Sequence, residues 1–232
     1  METDCHKISI VAHEPQFANN RFKILVVGRR ECGKSALIRR LQRNTFENSK
    51  DIPEVVVVIR AVHGSIVKVD LVAVDICKFL GDDPITDQAR VDFVKHSFDM
   101  SGLFLLYDTT NAETFAEIDE VLRVLKRMVP PDVDVCIVGT KADLVDSRKV
   151  SYDEAERKSQ QLGYSLFETS ALTGLNCDDV LLETLDKLSE RRREIRDYLL
   201  ETTEVYHNLT TECEPTESSL FCWIPNFWKR NQ

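Results

Sequence analysis

The sequence predicts a three-layer α/β fold, with helices on both faces of a sheet of about six strands that is mostly parallel and has one antiparallel edge pair. Two observations predict this fold. In the second half of the chain, short apolar runs alternate with segments of helical period, which is typical of parallel strands joined by helices. Earlier, two apolar runs flank the turn residues His63 and Gly64, which indicates a hairpin and therefore an antiparallel pair.

Each element follows from its own residues. A strand over 22–27 ends at a glycine-rich loop, and a helix over 34–43 follows that loop. The hairpin pairs the β-branched run 55–59 with the alternating run 66–74. We predict the later elements, in chain order, as a strand at 103–107, a helix at 113–128, a strand at 133–138, a helix at 152–162 and a strand at 165–167.

The C-terminal part of the chain is predicted to leave the domain. A helix begins near Asp178 and can continue to Leu199. Residues 201–219 are rich in Glu, Thr and Ser and contain no Lys or Arg, so we predict a mobile linker there. The predicted organisation is a flexible lead-in at 1–20, a compact domain at 21–200 and a flexible extension at 201–232.

Composition excludes several classes of protein. The formal net charge of −9 argues against nucleic-acid binding, which would need a basic face. The seven cysteines are odd in number, widely spaced and without a Cys-x-x-Cys, so neither a disulfide framework nor a zinc site is indicated. The sequence shows no signal-peptide pattern and no apolar stretch near the roughly 18 residues of a membrane helix. We therefore expect a cytoplasmic protein.

The glycine-rich loop reads Gly28-Arg-Arg-Glu-Cys-Gly33-Lys34-Ser35, directly after a strand and at the start of a helix. This context is the one that a phosphate-binding loop requires, and it disfavours the alternative of an ordinary βα turn. Backbone N–H groups and the helix N-terminus would face the phosphates, with Lys34 reaching the β- and γ-phosphates and the Ser35 hydroxyl ligating Mg²⁺. The predicted contacts come from Gly28, Glu31, Cys32, Gly33, Lys34, Ser35 and Ala36. We call residues 28–35 the phosphate loop.

A second motif, Thr140-Lys-Ala-Asp143, follows the strand at 133–138. With it, residues 21–190 resemble the small GTPases of the Ras superfamily, which implies a P-loop GTPase fold and a guanine nucleotide. In that family, the carboxylate at the position of Asp143 accepts two hydrogen bonds from guanine, and adenine cannot donate such a pair. Lys141 would pack its stem along the base. Thr140 stands where Asn is commoner, although the Rho branch also uses Thr.

Two further matches lie at the base end of the predicted site. Ser170, Ala171 and Leu172 resemble the family loop whose backbone contacts the guanine oxygen, and Phe46 stands where the family places an aromatic residue against the base. The resemblance implies a protein that binds GTP or GDP with Mg²⁺, acts in signalling or trafficking, and has its nucleotide state read by effector or regulator proteins.

The residues that hydrolysis needs depart from the family pattern. Residues 50–56 contain no threonine where the family's first switch has one. In the second switch, Asp75 remains and is predicted to hold Mg²⁺, but Lys78 and Phe79 replace the usual glycine and glutamine. Arg30 occupies a loop position that is small in relatives that accept an arginine finger. Because positioning of water and charge stabilisation carry phosphoryl transfer, we expect weak or absent hydrolysis.

Several alternatives remain open from the sequence. The segment from Asp75 to Gly102 is longer than usual, so Gly81 is another candidate for the switch glycine. The switch departures and the absence of a prenylation box resemble the Rad–Gem–Kir subgroup, whereas Asp108-Thr-Thr-Asn resembles the Rab branch. A non-switching pseudo-GTPase scaffold is the main functional alternative, and a P-loop enzyme acting on another nucleotide is a third.

The end of the chain is aromatic and has basic residues beside it. Aromatic side chains favour the membrane interface and basic ones favour anionic lipid, which predicts a peripheral membrane contact. The alternative is that this segment folds back on the domain or binds a protein partner. The predicted contact residues are Phe221, Cys222, Trp223, Phe227 and Trp228.

Overall fold

The computed structural model describes residues 20–47, 52–76, 93, 95–97, 99–130 and 132–211 of the chain. Several predictions lie outside these residues: most of the lead-in, the switch residues Lys78, Phe79 and Gly81, and the aromatic tail with Phe221, Cys222, Trp223, Phe227 and Trp228.

In the described part of the chain, six strands form one sheet, and helices connect them. The strands are β1 (Arg21–Gly28), β2 (Val56–Val62), β3 (Ser65–Asp75), β4 (Gly102–Asp108), β5 (Asp134–Thr140) and β6 (Ser165–Glu168). The helices are α1 (Lys34–Arg43), α2 (Ala112–Ala116), α3 (Ile118–Leu125), α4 (Tyr152–Leu162) and α5 (Cys177–Thr211). A short 3₁₀ helix at Val145–Ser147 lies between β5 and α4.

The sheet has the strand order β2-β3-β1-β4-β5-β6. Only the β2–β3 pair is antiparallel, and its register places Val62 opposite Ser65 across the His63-Gly64 turn. The other pairs are parallel. The predicted fold class is therefore confirmed, including the hairpin that forms the antiparallel edge. Because the parallel strands end at one edge of the sheet, the loops that follow β1, β4, β5 and β6 meet there.

Apolar side chains fill both faces of the sheet, since residues of one strand alternate between them. From β1, Ile24 and Val26 pack in a cluster that includes Leu37 of α1 and Leu181 of α5. Leu25 and Val27 enter a second cluster with residues of α2, α3 and α4. Two buried faces around one sheet make the three layers that the alternation of strands and helices predicts.

The predicted helix over 113–128 is interrupted in the structure. It forms α2 and α3, which meet at Glu117, and residues 126–129 form turns. The Asn111 side chain accepts a hydrogen bond from the Glu113 backbone at 3.0 Å and caps the start of α2. Pro130 explains why no helix extends to this point, because the residue before a proline is disfavoured in the helical region.

Helix α5 is longer than the sequence predicts. It continues to Thr211, so the mobile linker predicted from residue 201 is wrong for Glu201–Thr211. The physical reason is that no Gly or Pro occurs between Cys177 and Thr211 to end the helix. The chain divides into two compact units, one ending at Ser189 and one beginning at Glu190. None of the helices among the described residues is long and apolar enough to cross a membrane.

A bidentate ion pair fastens the loop after β5 to the end of β6. Arg148 donates to both oxygens of Glu168, at 2.6 and 2.8 Å. The Tyr107 hydroxyl lies 3.4 Å from one of these oxygens, and a Cβ on Gly139 would stand 2.6 Å from the same hydroxyl. The hydrogen bond to Glu168 raises the pKa of the Arg148 guanidinium. This network joins β4, β5 and β6 at the edge where the loops meet.

Replacing Arg148 by alanine is expected to lower the free energy of unfolding by about 2–3 kcal/mol, because the Glu168 carboxylate would lose its partner in a mostly buried position. Arg196→Ala is the control: its ion pair with Asp197 is exposed, so a change of about 0.5 kcal/mol or less is expected. Urea unfolding of both variants measures the difference. Equal effects would contradict a supporting role for the Arg148–Glu168 pair.

Candidate functional site

A cleft of about 940 Å³ opens at the edge of the sheet where the parallel strands end. Most of the residues predicted to contact the nucleotide line it: Glu31, Gly33, Lys34, Ser35, Ala36, Phe46, Thr140, Lys141, Asp143, Ala171 and Leu172. Segments that are far apart in sequence thus share one cavity. Its volume falls in the range of cofactor-sized pockets.

The phosphate loop has the backbone shape that its glycines predict. Gly33 has φ +96° and Glu31 has φ +63°, both in the left-handed region. A Cβ on Gly28 would stand 2.6 Å from the Cys32 sulfur, so this position has no room for a side chain. The N-terminus of α1 begins at Lys34, and its partial positive charge therefore faces the loop.

The Lys34 ammonium group lies over the phosphate loop. It donates to the carbonyl oxygens of Gly28 at 2.8 Å and Arg29 at 2.5 Å. A cation, a helix N-terminus and a turn with left-handed residues make a local environment that attracts anions.

Three predicted contacts, Gly28, Cys32 and Ser170, do not line the cleft. Of these, Gly28 and Cys32 support the phosphate loop. Burial raises the pKa of the Cys32 thiol, so this side chain acts as a neutral packing group and not as a thiolate. The Cys32 carbonyl oxygen lies 2.6 Å from the Thr140 hydroxyl, which also lies 3.0 Å from the Tyr107 carbonyl. Thr140 therefore connects the phosphate loop to the end of β5.

Asp143 and Lys141 are each held by a second side chain. The Ser170 hydroxyl donates to Asp143 Oδ1 at 2.6 Å, which places Ser170 behind the cleft as a support. The Lys141 ammonium donates to Asp108 at 2.5 Å. Burial alone would raise the pKa of Asp108, but hydrogen bonds from Lys141 and Thr110 outweigh it, and the pKa lies below its ordinary value. The Asp108 carboxyl group is thus ionised at neutral pH.

An arginine that the sequence analysis missed fixes the loop after β6. Arg40, on the last turn of α1, donates to the carbonyl oxygens of Ala171 at 2.7 Å and Leu172 at 2.6 Å. It also donates to the carbonyl of Asn44 at 2.8 Å, which caps the helix. Only the position of Arg40 on a helix next to the phosphate loop could have pointed to this role, since Ala171 and Leu172 are more than a hundred residues away.

The two residues predicted to hold Mg²⁺ lie on elements next to the phosphate loop. Ser35 lies on the first turn of α1, and Asp75 ends β3 in register with Gly28. A hydroxyl and a carboxylate are the oxygen donors that Mg²⁺ takes in proteins, so these residues fit the ion predicted for them. The Asp75 carboxylate also accepts a hydrogen bond from Arg30 Nε at 3.0 Å.

Phe46 lines the cleft with 44% of its surface exposed. Five further lining residues were not among the predicted contacts: Arg30, Leu37, Glu47, Leu144 and Thr169. Leu144 directly follows Asp143, and Thr169 directly precedes Ser170. This proximity was the signal that could have identified them from the sequence. Leu37 and Glu47 likewise directly follow the predicted residues Ala36 and Phe46. The Glu47 carboxylate pairs with Arg39 at 2.9 Å.

The known proteins that this chain resembles include several Ras-related Rab proteins. The chain is 30% identical to the Ras-related protein Rab-4 of Dictyostelium discoideum, with 69% of this chain and 76% of that protein covered. It is 34% identical to the probable Ras-related protein Rab-4A of Echinococcus multilocularis, with 68% and 69% covered. Ras-related protein Rab-26 of Bos taurus is 30% identical, with 75% and 66% covered.

The model of the Ras family matches residues 23–190. This range begins within β1 and contains the other five strands of the sheet, the phosphate loop and the cleft with its Thr-Lys-x-Asp segment. More than half of the chain is therefore accounted for by one family. The chain belongs to the Ras family of small GTPases.

Proposed function

We propose that the chain binds GTP and GDP in the cleft described above and acts as a signalling or trafficking protein with weak or absent hydrolysis. Membership of the Ras family supports GTP binding and partners that are effectors or regulators. The observation that carries the proposal is that the phosphate loop, Asp143 and the Ala171–Leu172 backbone line one cleft. A nucleotide needs groups for its phosphates and groups for its base, and this cleft has candidates for both.

At the phosphate end, Lys34 supplies the main positive charge. Its present partners are carbonyl oxygens of the loop, which a phosphate oxygen can replace as a stronger acceptor. Backbone N–H groups of the loop and the N-terminus of α1 add hydrogen bonds and partial charge. Ser35 and Asp75 would hold Mg²⁺, which when bound neutralises phosphate charge.

At the base end, Asp143 selects guanine. Its carboxylate is oriented by Ser170 and can accept hydrogen bonds from the guanine N1–H and 2-amino groups. The Lys141 ammonium is tethered to Asp108, which leaves the Lys141 stem along the cleft wall where a base would stack. Phe46 offers an aromatic surface at the same end.

Weak hydrolysis follows from the residues around the γ-phosphate position. The first-switch segment 50–56 has no threonine, and Lys78 and Phe79 stand in place of the switch glycine and glutamine. Arg30 adds a large side chain to the phosphate loop beside Asp75. The chain therefore lacks the groups that position water and stabilise the transferring phosphoryl group in the family.

Asp143→Ala is expected to weaken GTP and GDP binding about a hundredfold and to reduce the preference over ATP, because two hydrogen bonds to a charged acceptor are lost. Asp146→Ala, an exposed aspartate on the following turn, is the matched control and should bind as the wild type does. Lys34→Asn should weaken all three nucleotides. Calorimetric titration with Mg²⁺ measures these affinities.

Two results would contradict the proposal. A purified wild-type protein that ignores both GTP and GDP would favour the pseudo-GTPase scaffold. Tight preference for ATP would favour a P-loop enzyme that acts on another nucleotide, and it would remove the argument from Asp143.

Single-turnover hydrolysis of preloaded GTP is expected to be slower than about 10⁻⁴ s⁻¹, below the intrinsic rate of ordinary family members. The physical reason is the missing threonine together with Lys78 and Phe79. Release of labelled phosphate measures the rate, with spontaneous hydrolysis of free GTP as the control. A rate equal to that of ordinary small GTPases would show that these substitutions do not limit hydrolysis.

We also propose a peripheral membrane contact through the aromatic tail. Wild-type protein is expected to co-sediment with vesicles that contain anionic lipid, and a chain lacking residues 220–232 is not, since the aromatic and basic side chains would be lost. Vesicles of neutral lipid alone are the control and should retain less protein. Equal pelleting of both chains would exclude a direct lipid role for the tail.

A further inference from the structure

Two adjacent arginines of the phosphate loop turn to different partners. Arg29 Nε lies 2.7 Å from a carboxylate oxygen of Glu117, at the junction of α2 and α3. Arg30 turns toward the cleft, which it lines, and donates to Asp75 Oδ2 at 3.0 Å. The two arginines therefore lie in different surroundings. Arg29 pairs with Glu117 at the junction of α2 and α3, whereas Arg30 lines the cleft.

Asp75 is the carboxylate that Mg²⁺ would share with Arg30. It ends β3 directly beside Gly28 of β1, and 20% of its side chain is exposed. A guanidinium bound to this carboxylate takes up one oxygen and neutralises part of the negative charge that attracts a divalent ion. While Arg30 donates to an oxygen of Asp75, that oxygen is a weaker ligand for Mg²⁺.

We propose that Arg30 competes with Mg²⁺ for Asp75 and takes over part of the charge neutralisation that Mg²⁺ gives a bound nucleotide. The proposal rests on the proposed function, since it concerns how the nucleotide is held. A guanidinium suits phosphate oxygens as well as carboxylates, so Arg30 beside the phosphates supplies positive charge without a metal. Nucleotide retention should then depend less on Mg²⁺ than in a loop with a small residue at this position.

The size of the effect follows from exposure. The Arg30 side chain is 80% exposed, and ion pairs open to solvent are weak. Competition of this strength is expected to raise the Mg²⁺ concentration that gives half-maximal nucleotide retention by about two- to fivefold, and not to abolish ion binding.

The test is the dissociation rate of fluorescent GDP from the full-length chain over a series of buffered Mg²⁺ concentrations that begins at full chelation. In Arg30→Gln, the Mg²⁺ half-point should fall about two- to fivefold, and GDP should leave faster than from the wild type under chelation. Arg30→Lys keeps the charge without the Nε donor and should lie between the two. In an Asp75→Asn background, Arg30→Gln should no longer move the half-point, because the competition acts through that carboxylate.

Arg29→Gln is the matched control, since it removes a charge from the same loop but from the partner of Glu117. It should leave the Mg²⁺ half-point unchanged. An unchanged half-point in Arg30→Gln, or an equal shift in Arg29→Gln, overturns the inference while leaving nucleotide binding intact. A wild-type protein that retains no nucleotide at any Mg²⁺ concentration contradicts the proposed function itself, and this inference with it.

Discussion

The hydroxyl of Thr140 links the two halves of the site. It lies 2.6 Å from the carbonyl oxygen of Cys32 in the phosphate loop, a residue 108 positions earlier in the chain. The backbone carbonyl of the same threonine accepts hydrogen bonds from Thr109 at the end of β4. A Cβ on Gly33 would be 3.4 Å from the Thr140 side chain, so loop and strand pack in contact. The distance between the phosphate end and the base end is set by this junction.

The base end is fastened in the same way, through side chains that bond to backbone. Arg40 holds the carbonyls of Ala171 and Leu172, and Ser170 holds Asp143. Arg148 and Glu168 tie the two base loops together behind the cleft. Loops that are fixed before a ligand arrives lose less entropy when it binds, which favours affinity and selectivity. The fixed groups are those for which we propose contacts with guanine.

The sequence predicted what local patterns specify. The phosphate loop could be identified because Gly28, Gly33 and Lys34 occur at fixed spacing between a strand and a helix, and the hairpin because its turn residues separate two apolar runs. Asp143 could be assigned only through its resemblance to a family motif. Arg40 could not be found in this way, because its partners lie 131 and 132 residues away, and no local pattern encodes such a pair.

The same limit explains the errors in the helices. Apolar periodicity continues through Glu117, so it could not show that α2 ends and α3 begins there. Acidic and hydroxyl-rich composition argued for a linker after residue 200, but α5 continues to Thr211 because nothing in that stretch breaks a helix. Composition describes how much apolar surface a segment can bury, whereas helix continuation depends on the absence of Gly and Pro.

The positive charge at the phosphate end of the cleft serves nucleotide binding, whereas hydrolysis needs further groups. Lys34 and the N-terminus of α1 attract anions whatever the state of the switches, and they need no movement to do so. Hydrolysis instead needs a water and charge stabilisation that form in the transition state, and the substitutions in both switches affect these groups. We propose that Arg30 adds to this difference: its charge would favour a bound polyphosphate, while its bulk and its hydrogen bond to Asp75 would hinder the reaction at the γ-phosphate. On this proposal, the phosphate loop favours holding a nucleotide over cleaving it.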